Sequence, residues 1–132
     1  MSTLNVSNIT DGTDTVDTSY VLNGSAKAWI LHNQSSTQFI RDSFNVSSIS
    51  DTGTGRTEIT FTSAMGNVNY SVSGSIENGA GFNDSRMINR ENSQPRSATV
   101  FGMYTVNGGS STVNPYADDV AHANVQIHGD LA

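Results

Sequence analysis

Residues 44–62, FNVSSISDTGTGRTEITFT, predict the fold more clearly than any other stretch of the chain. Two runs that alternate apolar and polar residues flank the segment Ser50–Gly55, which contains two glycines and an aspartate. Glycine adopts positive φ at little cost, as tight turns between antiparallel strands require. We therefore expect a β-hairpin in which Ile59 and Phe61 point inward and the polar residues beside them point outward.

The same alternation recurs along the rest of the chain, and no segment has the period of a long amphipathic helix. We expect further strands over Ala26–His32, Phe39–Val46, Tyr70–Gly74, Ala98–Val106 and Asn124–His128. A short helical turn is expected over Asp118–Ala123. Short strands at this spacing are typical of an all-β fold, here an antiparallel β-sandwich or jelly-roll-like domain.

Two parts of the chain are expected to differ in role. Residues 1–20 form a predicted N-terminal β-arm for attachment or trimerisation, and residues 21–132 form the β-sandwich domain. In the arm, Leu4 and Val6 alternate with polar neighbours before the turn residues Asp11–Asp14.

The composition predicts a thin core. Ser 19, Thr 14, Asn 14 and Gly 12 dominate the 132 residues, and only 35% are hydrophobic. Abundant Val, Ile, Thr and aromatic residues nevertheless favour strands over disorder. The strand at Ala26–His32 is largely apolar on both faces, so we expect it to be central in its sheet or to pack against a neighbouring subunit. The predicted assembly is a homotrimer, with a subunit interface that includes Leu4, Val6, Trp29 and Leu31.

Charge and cysteine content exclude several classes of protein. The net charge of −6 argues against a nucleic-acid partner, which would need a basic surface. The absence of cysteine excludes disulfides and thiolate chemistry. No apolar run approaches the ~20 residues of a membrane span, so no membrane insertion is expected. No secretory signal is visible at the N-terminus.

Two motifs of the chain are NGSAKAW at Asn23–Trp29 and IRDSFNVSSI at Ile40–Ile49. Both resemble signatures of bacteriophage virion proteins of the tail-fibre type, including those of marine and cyanobacterial phages. The continuation from Asp51 to Tyr70 resembles their D-x-GTG, FT-x-AM and NY elements. Ser2–Val6 and His128–Ala132 also look like the termini of such chains. One departure is His32, where the relatives carry an apolar residue.

The resemblance implies a virion structural protein, most of all a short tail-fibre or receptor-binding protein. Glu77–His122 departs from the family pattern, and a variable stretch of an adhesin carries specificity. We expect loops at one end of the domain to bind a host cell-surface glycan or protein. The candidate receptor-binding residues are Asn78, Asn83, Asn107, Ser110 and Tyr116.

A capsid decoration (cement) protein is the alternative within the same class of virion proteins. It would also be a trimer of β-sandwiches, with the segment Ser2–Tyr20 as a clamp between capsomers. The chain begins with Met1 and is short for a whole fibre, which keeps this alternative open. Copy number separates the two, because a cement protein is present at far more copies than a fibre. Other phage virion proteins are partners in both cases.

No residue pattern predicts catalysis, and we expect no enzyme, cofactor or metal. His122 and His128 share a face and could bind a metal at a trimer axis, but solvent-facing positions are favoured. Asp11, Asp14 and Asp17 lack the spacing of a calcium loop, which favours a solvated turn.

The remaining aromatic and basic residues are assigned by their context. Trp29, Tyr70 and Tyr104 lie in alternating strands and are expected in the core, while Tyr116 is expected to be exposed. The three arginines Arg86, Arg90 and Arg96 either pair with acids or form a scattered solvated face.

Overall fold

A computed structural model describes residues 3, 5–77, 86–90, 96–108 and 116–132 of the chain. Its elements are β1 (Asn8–Thr10), β2 (Thr15–Asp17), α1 (Thr18–Gly24), β3 (Ala28–Asn33), β4 (Phe39–Phe44), β5 (Val46–Gly53), β6 (Arg56–Phe61), β7 (Ser71–Ile76), β8 (Arg86–Arg90), β9 (Val100–Asn107), β10 (Tyr116–Ala117) and β11 (Ala123–His128). The prediction of an all-β fold is confirmed.

The strands form three antiparallel sheets. One sheet of four strands has the order β4-β3-β11-β7, and a sheet of five strands contains β5, β6, β8, β9 and β10. In the larger sheet, β9 pairs with β6 on one side and with β8 on the other. The third sheet contains only β1 and β2. Strands that are far apart in sequence, such as β3 and β11, are therefore direct neighbours.

One hydrophobic core is shared by the two larger sheets. The four-stranded sheet contributes Ile30 and Val125, among others, and the five-stranded sheet contributes Ile59 and Phe101. Tyr70 lies between two phenylalanines, with edge-to-face ring contacts at centroid distances of 5.9 Å to Phe61 and 6.4 Å to Phe101. The predicted inward positions of Ile59 and Phe61 and the predicted burial of Tyr70 are confirmed.

The hairpin predicted from residues 44–62 is present as β5 and β6. Gly53 and Gly55 adopt φ values of 136° and 68° at its turn, which explains the two glycines. A Cβ on Gly55 would lie 2.6 Å from the Thr105 carbonyl oxygen, so this glycine also permits close contact with β9.

The expected continuous strand over Phe39–Val46 was wrong, because Asn45 interrupts it with a φ of 57°. Its side-chain amide donates to the carbonyl oxygens of Lys27 at 3.0 Å and Ser63 at 3.1 Å, and its side-chain oxygen accepts from the Ser63 amide at 2.7 Å. These bonds hold the left-handed conformation, which asparagine tolerates better than most residues. The chain passes there from the four-stranded sheet to the five-stranded one.

The expected helical turn over Asp118–Ala123 was also wrong, since this segment is irregular until β11 begins at Ala123. Its backbone bonds to neighbouring segments instead of to itself. The Asp118 amide donates to the Thr105 carbonyl at 3.3 Å, and the Val120 carbonyl accepts from the Gln34 amide at 2.8 Å. Asn107, a receptor-binding candidate that was expected in a loop, is the last residue of β9.

The N-terminal segment contains a hairpin, β1–β2, followed by α1. The sequence patterns did not predict this helix. Asp17 caps this helix by accepting a hydrogen bond from the Ser19 amide at 2.7 Å. The predicted boundary between residues 20 and 21 falls inside the helix. No helix in the described residues has the length and apolarity of a transmembrane span.

Candidate functional site

Tyr116 and Asn107 are the two candidate receptor-binding residues that the structure describes, and it brings them together. They are partners in the β10–β9 pairing, and the Asn107 side-chain amide donates to the Tyr116 hydroxyl at 3.0 Å. Tyr116 is 49% exposed, as expected, whereas Asn107 is only 1% exposed. Asn107 therefore orients the Tyr116 hydroxyl from the buried side, and the Tyr116 ring stays in contact with solvent. The other three candidates, Asn78, Asn83 and Ser110, lie outside the described residues.

A buried polar cluster lies at the same end of β9. The Gln34 side chain donates to the Thr57 hydroxyl at 3.0 Å, and its oxygen lies 2.9 Å from the Thr105 hydroxyl. The Thr57 hydroxyl in turn donates to the Gln38 side-chain oxygen at 2.8 Å. Gln34, Thr57 and Thr105 are fully buried, and their bonds join the end of β3 to β6 and β9. Buried polar groups that satisfy one another in this way specify a single packing arrangement.

The cluster also holds the loop that follows β10. The Thr105 hydroxyl lies 2.5 Å from the Asp118 carbonyl and 3.1 Å from the Gly55 carbonyl. The Asp119 carboxylate accepts a hydrogen bond of 2.6 Å from the Gly55 amide. These contacts fix β10, and with it the exposed ring of Tyr116, against the turn of the β5–β6 hairpin.

Sequence reasoning missed this cluster, although a signal for it exists. Thr57 occupies the same face of β6 as Ile59 and Phe61, and Thr105 shares its face of β9 with Met103. Polar residues at inward positions of two strands indicate buried hydrogen bonds, but only the tertiary structure shows that Gln34 bonds to both threonines.

His32 is a second buried polar group, and it occupies the core face of β3, as the sequence indicated. It is 0% exposed, and neither ring nitrogen has a hydrogen-bond partner among the described residues. Desolvation lowers the pKa of His32 to about 4. The nearby backbone of Ala123 acts in the opposite direction and raises the pKa, but its effect is smaller. The imidazole is therefore neutral at pH 7.

The N-terminal segment carries an exposed group of large apolar side chains. We call Val6, Ile9, Val16, Val21 and Leu22 the N-terminal apolar patch. Leu22 is 64% exposed, and β1, β2 and α1 contain no buried residue. Val6, Ile9, Val21 and Leu22 also line a groove of about 360 Å³. Val6 was a candidate interface residue, and Leu4 lies outside the described residues.

A second apolar area lies on the face of β3 that points away from the core. Trp29 and Leu31, the other two candidate interface residues, are half-buried there. Trp29 is paired with the exposed Phe44 of β4. The two aromatic rings therefore lie on neighbouring strands of an outer sheet surface. The prediction that Trp29 belongs to the core was wrong. Side chains alternate along β3, and Ala28, Ile30 and His32 take its inward positions, so Trp29 lies on the outer face.

The residues considered for metal binding have other contacts. The Nδ1 atom of His122 contacts the Glu77 carboxylate, and the Asp11 carboxylate accepts hydrogen bonds from the backbone amides of Asp14 at 2.9 Å and Thr13 at 3.0 Å. These hydrogen bonds lower the pKa of Asp11. Within the described part of the chain, no group of three or more His, Asp or Glu side chains could hold a metal ion.

The remaining basic residues take different positions. Arg96 packs on the Tyr70 ring, and Arg90 lies at the end of β8. The side chain of Arg86 lies outside the part of the structure that is described. Tyr104, which was expected in the core, is half-buried. The Cζ atom of Arg56 lies 5.3 Å from the centre of its ring.

In comparisons with protein families, with curated proteins and with solved structures, nothing matches this chain.

Proposed function

We propose that this chain is a bacteriophage virion structural protein, and specifically a short tail-fibre or receptor-binding protein that acts as a homotrimer. The resemblance of residues 23–29 and 40–49 to tail-fibre proteins supports the class. The observation that carries the proposal is the N-terminal apolar patch, which nothing in the described chain covers.

A segment of this kind needs a partner surface. An isolated two-stranded sheet is marginal in water, and so is a helix of seven residues. β1, β2 and α1 contain no buried residue, so their apolar side chains contribute little to stability within one chain. Contact with copies of the chain or with another virion protein would bury Val21, Leu22 and Ile9. The role of residues 1–20 in attachment or trimerisation is part of this proposal.

The two larger sheets and their shared core are proposed to form a β-sandwich that displays binding loops. Tyr116 is the described residue best placed for this role, because its ring is exposed and its hydroxyl is oriented by Asn107. Aromatic rings pack against the apolar faces of sugars and against protein side chains. Three weak sites in one trimer would bind a host cell-surface glycan or protein with useful avidity.

The assembly is tested by light scattering of the purified chain, for which we expect the mass of a trimer. The location is tested by labelling the protein in intact virions and counting copies by quantitative mass spectrometry. Label at the tail with tens of copies or fewer supports the proposal. A stable monomer, or a protein missing from purified virions, would contradict it.

A capsid decoration protein is the second candidate, and the N-terminal apolar patch also favours it. The same segment would then clamp adjacent capsomers on the head. Label over the head surface at hundreds of copies per virion would establish this alternative in place of the tail fibre.

A further inference from the structure

A groove of about 450 Å³ lies between β7 and β8, outside the Tyr116 region and outside the N-terminal apolar patch. In the described structure, β7 is the last strand of the four-stranded sheet, and β8 lies at the side of β9 opposite to β6. The groove therefore follows the opening between the two sheets. Its size falls within the range of ~300–1,000 Å³ that is common for small-molecule sites.

Gly74 lets β8 approach β7 closely beside this groove. It lies on the inward face of β7 with Val72 and Ile76, yet it is exposed. A Cβ at this position would lie 2.9 Å from the Cδ1 atom of Ile88 and would overlap the Asn124 carbonyl oxygen. Glycine therefore leaves room for the Ile88 side chain, which lines the groove together with Val72 and Phe101.

Two arginines line this groove in an acidic protein. The chain contains six Lys and Arg residues against twelve Asp and Glu, and two of these six, Arg90 and Arg96, line this one groove. The described residues that line it include no Asp or Glu. A polyanion would be repelled by the net charge of −6, so binding of one would require a local site of this kind.

Arg96 is held in place by Tyr70. Its Nη1 atom donates to the Tyr70 carbonyl oxygen at 2.5 Å, and its guanidinium lies 4.6 Å from the centre of the Tyr70 ring. The Tyr70 hydroxyl is itself bonded to the carbonyl oxygens of Ser97 at 3.1 Å and Val100 at 3.2 Å. A guanidinium fixed in this way loses little conformational entropy when it binds an anion. Its Nε atom is shielded from solvent and has no hydrogen-bond partner among the described residues.

We propose that the groove between β7 and β8 binds an acidic monosaccharide unit of a cell-surface polysaccharide, with its anionic group on Arg96 and Arg90. Arginine recognises planar oxyanions through paired N–H donors. Ser73 and Asn89 also line the groove and supply hydrogen bonds for sugar hydroxyls, while Val72 and Ile88 contact the apolar face of the ring. The anion is a carboxylate or a sulfate ester. The proposal rests on the receptor-binding function proposed above for the source of the saccharide.

Isothermal titration of the full chain tests this site with polygalacturonic acid, dextran sulfate and neutral dextran as probes. We expect one or both anionic polymers to bind and dextran to give no heat. Tighter binding of polygalacturonic acid identifies a carboxylate, and tighter binding of dextran sulfate identifies a sulfate ester. Binding of neither anionic polymer, or equal binding of dextran, would overturn the proposal.

Charge-neutral variants localise the binding. Arg90→Gln and Arg96→Gln are each expected to weaken it by about tenfold, the loss of a charge-assisted hydrogen bond. Arg41→Gln is the matched control, because Arg41 lies on β4 and does not line the groove. Its guanidinium lies 5.0 Å from the centre of the Phe39 ring. An equal loss in Arg41→Gln would show nonspecific attraction and would refute the site.

Arg96→Gln also removes contacts to Tyr70, so a readout without substitution is needed. Titration of the unaltered protein with galacturonic acid and with a sulfated monosaccharide is expected to shift the backbone amide resonances of Ser73, Gly74 and Ile88. Shifts confined to other residues would overturn the proposal. Failure here leaves the virion location and copy number unaffected, so the two proposals fail separately.

Discussion

Asn107 and Tyr116 are paired across β9 and β10, and the buried amide of Asn107 donates to the hydroxyl of the exposed Tyr116 at 3.0 Å. A buried residue thus orients an exposed aromatic ring on a strand of only two residues. The contact connects the buried end of β9 to the surface that we propose for receptor binding.

Tyr116→Ala is expected to weaken binding of the purified protein to host cells without loss of folding. Removal of an aromatic anchor costs about 1 kcal/mol or more, which is about fivefold in the binding constant. Competition with phage adsorption measures the change, and circular dichroism checks the fold. Val68→Ala removes an exposed apolar side chain outside the N-terminal segment as a control and should bind like the parent. If the Tyr116→Ala protein competed with phage adsorption as strongly as the parent protein, this residue would be excluded from the receptor site.

His32 is expected to make stability depend on pH. Its pKa is about 4 in the folded chain and near 6.5 when unfolded, so the unfolded chain binds the proton more tightly. The stabilising effect of the neutral form is complete above pH 6.5 and is lost as the pH falls toward 4, by about 3 kcal/mol. Urea unfolding at several pH values should show that the free energy of unfolding falls less at acid pH in His32→Leu than in the parent. His128→Gln, which alters a histidine outside the core, should behave like the parent, and identical pH profiles for His32→Leu and the parent would contradict the assignment.

Gly55→Ala is expected to destabilise the fold by about 1–3 kcal/mol, because alanine disfavours positive φ. The position has a φ of 68°, and the added methyl would lie 2.6 Å from the Thr105 carbonyl oxygen. Gly24→Ala is the control, since nothing lies within 4 Å of a Cβ there, and its effect should stay within about 0.5 kcal/mol. Urea denaturation compares the two. Equal stability of both variants would show that the hairpin turn relaxes freely around residue 55.

Val21→Ser is expected to shift the assembly toward smaller species if the N-terminal apolar patch joins subunits. Val68→Ser is a closely matched control, because both valines are 46% exposed but Val68 lies outside the N-terminal segment. Sedimentation of both variants at several protein concentrations measures the change. Dissociation of both variants to the same degree, or of neither, would argue against a role of this patch in trimerisation.

The alternating pattern predicted most of the strands, since the direction of a side chain in a strand depends only on its neighbours in sequence. The hairpin at β5–β6 followed from its glycines for the same local reason. β8 was not predicted, and α1 was missed because a helix of seven residues is too short for its period to stand out. The break at Asn45 was missed because its left-handed conformation depends on bonds to Lys27 and Ser63.

The candidate sites divide in the same way. The exposure of Tyr116 and the polar character of the core face at His32 could be read from the order of residues alone. The pairing of Asn107 with Tyr116, the contact of Thr105 with Gln34 and the position of Arg96 on Tyr70 could not. Each of these joins residues from separate segments, and their distances depend on how the sheets pair and pack.

The order of residues by itself determined that the chain forms antiparallel strands and which side chains of a strand share a face, because these properties arise from backbone sterics and from the two-residue repeat. Only the tertiary structure decided that β7 and β8 lie next to each other beside a groove lined by Arg90 and Arg96, and that the rest of the described chain leaves the N-terminal apolar patch uncovered. These features depend on contacts between distant parts of the chain, which local patterns do not specify.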